Sequence, residues 1–394
     1  MSLRNRLTAL HGADDDAVAA FWADVAATGT PVVEDRGAAG TVRVTFLWRA
    51  ARPRAVHCGI ARVTDRDAWR TGLMTRVPGT DVWWLECSLP DTLRAGYSFR
   101  VFSDRAPRDD DFAGRPWERR DPVPVADPTA PAPPVPGVGG ATTTELALPG
   151  APLPGLAAAV GAAPAARGVT EHGTPWGTAW TWVPKGASTL LVLTDGRTWT
   201  ERLDLPRALA TMDLPVAVAA LDSGTRQERT ARLGGDTGYA EFLADGFLPW
   251  ARGATGVDGP VDRTWFAGQS LGGLTALLLA TRRPGAFGTV VAQSPSMWWH
   301  PDGDRTPADM PALDERPWIV GALQRPPEGG STRVHLHAGT LEGTTAHHVG
   351  PAAARLRELG HDAVATTFTG GHEALCWRAG LVDLLRRALG GAQP

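Results

Sequence analysis

The chain has 394 residues, 43% hydrophobic and 21% charged: a globular composition, too long for one core, so two domains are expected. A formal net charge of −3 argues against a nucleic-acid binder or a polybasic membrane partner, but leaves room for a local arginine cluster facing an anion. Cys58, Cys87 and Cys376 are an odd number on a long chain, which fits a reducing compartment better than a disulfide framework.

The opening MSLRNRLTALHG has no apolar core and no small-residue cleavage site. The best apolar run, LGGLTALLLA, is cut off by Thr281-Arg282-Arg283-Pro284, short of the roughly 20 residues that a membrane helix needs. A cytoplasmic location is therefore expected. TVRVTFLWR (41–49), DVWWLECSL (81–89) and GYSFRVFSD (96–104) alternate apolar and polar residues with period two, and turn residues separate them. They predict a small antiparallel sandwich over residues 1–120, with the acidic stretch 108–111 as a solvated loop. DPVPVADPTAPAPPVPGVGG and the Ala-rich run after it suit neither a central strand nor a helix interior, so residues 121–168 read as a Pro/Ala-rich linker. From residue 169 to 394 apolar runs of strand length alternate with helical segments. Strands without polar alternation imply a mostly parallel α/β sheet covered by helices on both faces.

The strongest local feature is Gly268-Gln269-Ser270-Leu271-Gly272, a G-x-S-x-G between the strand-like RTWFA and an apolar helix. A serine on such a turn has a strained backbone, and glycines two before and two after relieve the crowding. The pattern predicts an α/β-hydrolase elbow with Ser270 as nucleophile and the Leu271 amide, at a helix N-terminus, as an oxyanion donor. The base in this fold follows the last strand, and His372 comes directly after DAVATTFTGG. The acid is expected after TRVHLHAG, where Glu342 stands three residues past Gly339. For a second oxyanion donor the run STLLVLTDGRTW offers the Arg197 amide, with Gly196 letting the backbone approach a ligand. His335, His337, His347 and His348 suggest a metal only superficially, since no carboxylate or cysteine partner is evident; no metal site is expected.

The runs TDGRTW, GQSLGG, SPSMWW and above all GGHEALCWRAGL resemble the enterochelin (enterobactin) esterases, and TVRVTFLWR, PGTDVWW and ADPTAP extend the likeness into the first half. The resemblance implies an immunoglobulin-like N-terminal domain before the hydrolase domain. It also implies cytoplasmic hydrolysis of the ester bonds of an imported trilactone catecholate siderophore, releasing iron. Ser270 and His372 match the family's nucleophile and base. The resemblance offers Trp298, Trp299 and Trp377 to stack on catechol rings, and Arg229, Arg232 and Arg378 to attract the anionic ferric complex. There are departures: Arg232 lies where the family has a carboxylate, and His337 where relatives carry a glutamate, which leaves the acid open between Glu342 and a simple Ser–His dyad. No cofactor is implied; iron(III) enters only as part of the small-molecule substrate. Neither nucleic acid nor membrane is an expected partner, and the oligomeric state is not legible. A general carboxylesterase and a non-catalytic siderophore-binding protein stay open as alternatives.

Overall fold

The computed structural model describes residues 2–36, 40–113, 121–303, 305–326 and 330–390. The chain divides into two units, Met1–Ala162 and Ala163–Pro394.

The first unit begins with helices α1 (Leu3–Ala9) and α2 (Asp15–Thr28), where a sandwich was expected from the start. Ser2 and Asp14 cap them, accepting from Asn5 N–H and Ala17 N–H. Leu3, Leu7, Val18, Phe21, Trp22 and Val25 recur at helical spacing and bury one stripe in a cluster with Leu47, Val77 and Val82. The strands are β1 (Val32–Arg36), β2 (Thr41–Arg49), β3 (Ala55–Ile60), β4 (Thr75–Arg76), β5 (Val82–Pro90), β6 (Arg94–Phe102), β7 (Val135–Pro136) and β8 (Thr142–Ala147). They form two four-stranded antiparallel sheets, β1-β2-β5-β4 and β3-β6-β8-β7. The period-two aromatics of β2 and β6 meet between them, with Phe46 5.0 Å from Tyr97 and Trp48 4.7 Å from Phe99.

The stretch read as a linker belongs mostly to this unit. Its Pro-free segment TTTELA is β8, paired with β6 through Leu146↔Ala95 and Thr144↔Tyr97. Pro136 sits in the two-residue outermost strand β7, where a missing N–H is tolerated. The Ala-rich run supplies helix α3 (Leu156–Ala162), as alanine's helix propensity allows. Buried Asp127 accepts from Tyr97 Oη at 2.9 Å and from the Thr129 amide at 2.9 Å, which pins the segment down.

In the second unit a hairpin, β9 (Thr170–Thr174) and β10 (Gly177–Trp182), leads into β11 (Thr189–Leu193), helix α4 (Leu205–Thr211) and β12 (Val216–Leu221). Helices α5 (Arg226–Leu233), α6 (Thr237–Phe242) and α7 (Leu248–Thr255) precede β13 (Thr264–Gln269), α8 (Leu271–Arg282) and β14 (Thr289–Gln293). Then come α9 (Trp318–Ala322), β15 (Arg333–Gly339), α10 (Thr344–Glu358), β16 (Asp362–Phe368) and α11 (Ala374–Leu389). One eight-stranded sheet runs β16-β15-β14-β13-β11-β12-β10-β9. From β11 to β16 neighbours are parallel; β10 and β9 are antiparallel additions at one end. Every residue of β11, β12, β13 and β14 is buried, so both faces of the central sheet are covered. Because these strands are parallel, the loops after β11, β13, β14, β15 and β16 gather at one rim, where such sheets build their sites.

Candidate active site

Strand β13 passes directly into α8 at Ser270, whose φ of +58° and ψ of −117° form a sharp, strained turn. A Cβ on Gly268 would lie 2.1 Å from Gly272 O, and one on Gly272 would lie 2.7 Å from Thr194 Oγ1. Both positions need glycine for packing. Neighbouring backbone holds the turn: Ser270 N donates to Gln293 O at 2.9 Å, and Ser296 N donates to Ser270 O at 3.1 Å. Leu271 opens α8, so its amide belongs to the first turn, where N–H groups lack helical acceptors.

His372 follows β16, with Nε2 3.0 Å from Ser270 Oγ. Its Nδ1 is 2.7 Å from Glu342 Oε2, and an ionised carboxylate only accepts. Nδ1 therefore carries the proton, leaving a lone pair on Nε2 aimed at the serine hydroxyl. Glu342, 7% exposed, also accepts at Oε1 from Gly339 N–H at 2.6 Å and from Ser294 Oγ at 2.7 Å. Burial alone would raise its carboxyl, but the bonds from His372, Ser294 and Gly339 outweigh burial and hold it below the usual range. Thr340 N donates to Phe368 O and Leu341 N to Gly370 O, so the acid and base loops are stitched together. The arrangement can take a proton from a hydroxyl and stabilise the resulting imidazolium, the chemistry of a serine triad.

Around this centre several sequence expectations change. A Cβ on Gly196 would meet Ala220 O at 2.8 Å and the Trp180 ring at 2.9 Å, so packing alone already requires glycine there. Arg197 heads the turn Thr198–Arg202, and its exposed guanidinium lies 5.4 Å over the Trp180 ring and 3.2 Å from Glu201. Arg229, expected to meet substrate, grips buried Asp195 through Nε and Nη2, both at 2.7 Å. Gln269 Nε2 donates to the same carboxylate at 3.0 Å and Gln269 Oε1 accepts from Trp199 at 3.1 Å, so a polar chain underlies the Arg197 loop. Asp195 itself has φ +57°, a strained position at the head of that loop.

Trp377 and Arg378 lie in the first two turns of α11, not on a loop. Trp377 is 8% exposed, edge-on to His372 at 4.9 Å, and donates to Ser294 Oγ; it offers no free face to a catechol. Arg378 is 4% exposed and donates to Leu203 O, and burial pulls its guanidinium down to about 10. Trp299 packs over Gly234 and Gly235 and against Trp318 at 4.8 Å. Trp298 is half-buried; Arg232 is half-buried beside Trp176 O and Glu228. His337 is packed on Gly380 and Phe368, and desolvation lowers its pKa to about 4, so it is neutral. Among the described residues no group of three or more His, Cys, Asp or Glu could hold a metal, and no helix is long and apolar enough to cross a membrane. Sequence reasoning missed Asp195, Gln269, Ser294 and Ser296, whose Oγ is 3.4 Å from Ser270 Oγ. Their one sequence signal was polarity at the ends of otherwise apolar strands.

Residues 43–155 match the family model described as enterochelin esterase, N-terminal, and residues 180–388 the model described as putative esterase. The iron(III) salmochelin esterase of Escherichia coli O6:H1 (strain CFT073) is 32% identical over 97% of this chain and 95% of its own length. The iron(III) enterobactin esterase of Dickeya dadantii (strain 3937) is 30% identical over 95% and 94%. Among solved structures, the ferric enterobactin esterase of Salmonella typhimurium superposes with a TM-score of 0.72 at 28% identity, covering 94% of this chain and 99% of that one. The enterobactin esterase of Shigella flexneri, solved in the presence of enterobactin, gives 0.73 at 25% identity, covering 94% and 98%. Two family models in tandem, and relatives matched nearly end to end, make this chain an esterase that belongs to the enterochelin esterase family.

Proposed function

We propose that this esterase hydrolyses the ester bonds of an iron(III) catecholate trilactone siderophore in the cytoplasm, with Ser270 as nucleophile, His372 as base and Glu342 as the acid that orients it. The observation that carries the reading is the continuous hydrogen-bonded chain from Ser270 Oγ to His372 at 3.0 Å and on to Glu342 at 2.7 Å. His372 Nε2 takes the serine proton as Oγ attacks the ester carbonyl. The amides of Leu271 and Arg197 hold the oxyanion, and the imidazolium returns the proton to the departing alkoxide. Water then attacks the acyl-enzyme with the same base, releasing acid and regenerating Ser270. The names of the matched relatives, iron(III) salmochelin and iron(III) enterobactin esterases, speak for the substrate class. Of the residues offered for the substrate, Arg232 and Trp298 are left to meet it, since Arg229, Arg378 and Trp377 are engaged elsewhere and Trp299 packs on Gly234, Gly235 and Trp318. Iron(III) belongs to the substrate and no cofactor is assigned. The first unit is read as immunoglobulin-like, supported by its two four-stranded antiparallel sheets around aromatic side chains.

The test compares turnover of a ferric catecholate trilactone, its iron-free form and simple aryl esters by the full chain. We expect the trilactones to be cleaved fastest and Ser270→Ala to lose at least about 10⁴-fold. Faster turnover of simple esters than of any catecholate, or activity surviving in Ser270→Ala, would overturn the proposal.

A further inference from the structure

The end of strand β14 and the residue after it reach three parts of the site: the nucleophile, the acid and the start of α11. Gln293 O accepts from Ser270 N, Gln293 Nε2 donates to Trp377 O at 2.9 Å, and Ser294 Oγ donates to Glu342 Oε1 at 2.7 Å. Ser294 is fully buried and held at φ +45° by its amide's bond to His337 O at 2.6 Å. A side-chain-bearing residue in this left-handed region is strained, so the surroundings must enforce it. Trp377 Nε1 points at the Ser294 hydroxyl from 2.8 Å. An indole N–H can only donate, and an ionised carboxylate can only accept. The direction is therefore settled: Trp377 Nε1–H to Ser294 Oγ, and Ser294 Oγ–H to Glu342. The same tryptophan stands perpendicular to the His372 ring, 4.9 Å between centroids at 88°.

We infer that Ser294 and Trp377 are positioning residues of the reaction: Ser294 keeps Glu342 ionised and aimed at His372, and Trp377 orients the Ser294 hydroxyl while fencing the imidazole. The inference rests on the nucleophile and base assigned above. Glu342 is faced by His372 from the loop before α11 and by His337 from β15, and Asp383 and Arg387 of α11 lie near His337. Glu373 follows His372 in the chain, with Arg202 in electrostatic range. Neither substitution adds or removes any of these charged groups.

Withdrawing a donor from the carboxylate makes the Glu342–His372 pair hold its proton more tightly. The acid limb of kcat/KM, which reports that pair in the free enzyme, then moves to higher pH. The experiment measures kcat/KM against pH for the full chain, Ser294→Ala and Trp377→Phe on a small activated aryl ester. NMR titration of the His372 ring follows the same equilibrium without turnover. We expect Ser294→Ala to raise the limb by about one pH unit and lower plateau kcat about tenfold, with KM within about twofold. Trp377→Phe keeps an aromatic ring but removes the N–H, and should shift the limb the same way about half as far. A limb and a ring titration that stay where the wild type has them, whatever happens to kcat, would reduce both residues to packing and overturn the inference. Should Ser294→Ala not fold, Trp377→Phe decides by the same criterion. Activity surviving in Ser270→Ala would strike the triad reading, whereas an unmoved limb in an active enzyme strikes this one alone.

Discussion

Replacing Glu342 by glutamine tests the acid with little change of shape. Oε1 accepts from the Gly339 amide at 2.6 Å and from Ser294 Oγ at 2.7 Å, and the amide is an obligate donor. The glutamine oxygen must therefore occupy that site, which turns its NH₂ toward His372 Nδ1, where Oε2 stood at 2.7 Å. Nδ1 then becomes the acceptor and the ring proton moves to Nε2, facing Ser270. The imidazole is left in the tautomer that cannot take the serine proton. Triads whose acid is replaced this way lose about 10⁴-fold in kcat, roughly 5.4 kcal/mol at 1.36 kcal/mol per decade. The assay is the burst and steady state of an activated aryl ester at pH 7, with circular dichroism to verify the fold. A loss under about tenfold would refute the tautomer argument and return the enzyme to a Ser–His dyad.

Two further outcomes follow from groups away from the reacting atoms. Arg229→Met leaves buried Asp195 without its bidentate partner, at a cost of about 3 kcal/mol in urea unfolding. It should lower kcat about tenfold or more on neutral and anionic esters alike by loosening the Arg197 loop; a rise in KM confined to the ferric siderophore would instead make Arg229 a substrate contact. His57, 2% exposed, has its pKa lowered by burial from 6.5 to about 4, so the unfolded chain binds the extra proton between those values. Its contribution is complete above pH 6.5 and is lost as pH falls toward 4, up to about 3 kcal/mol. His57→Gln should flatten the dependence of the urea midpoint between pH 7 and 4.5, and an unchanged profile would count against the assignment.

What could be read from the sequence was what is local. TVRVTFLWR became β2 because its period-two pattern matches a pleated strand. The elbow was legible because strand, glycines and helix adjoin one another along the chain. His372 and Glu342 could be nominated from chain order, but the sequence gives no distance between them. Arg229 and Arg378 look like free cations in the sequence, since their partners Asp195 and Leu203 O lie 34 and 175 positions away. Trp377 looked like a stacking platform until the docking of α11 turned its N–H toward Ser294. Proline content hid β8, whose pairing with β6 no local pattern announces. The early helices were legible in principle, from the spacing of Val18, Phe21, Trp22 and Val25.

The sheet order has a consequence for how this enzyme loses activity. The nucleophile hangs from β13, flanked by strands on either side, whereas the histidine hangs from β16 at the outer end. Peripheral strands open at lower free energy than central ones. Heat should therefore unhook the proton acceptor while the serine's own surroundings stay intact, leaving a folded but silent molecule that recovers on cooling.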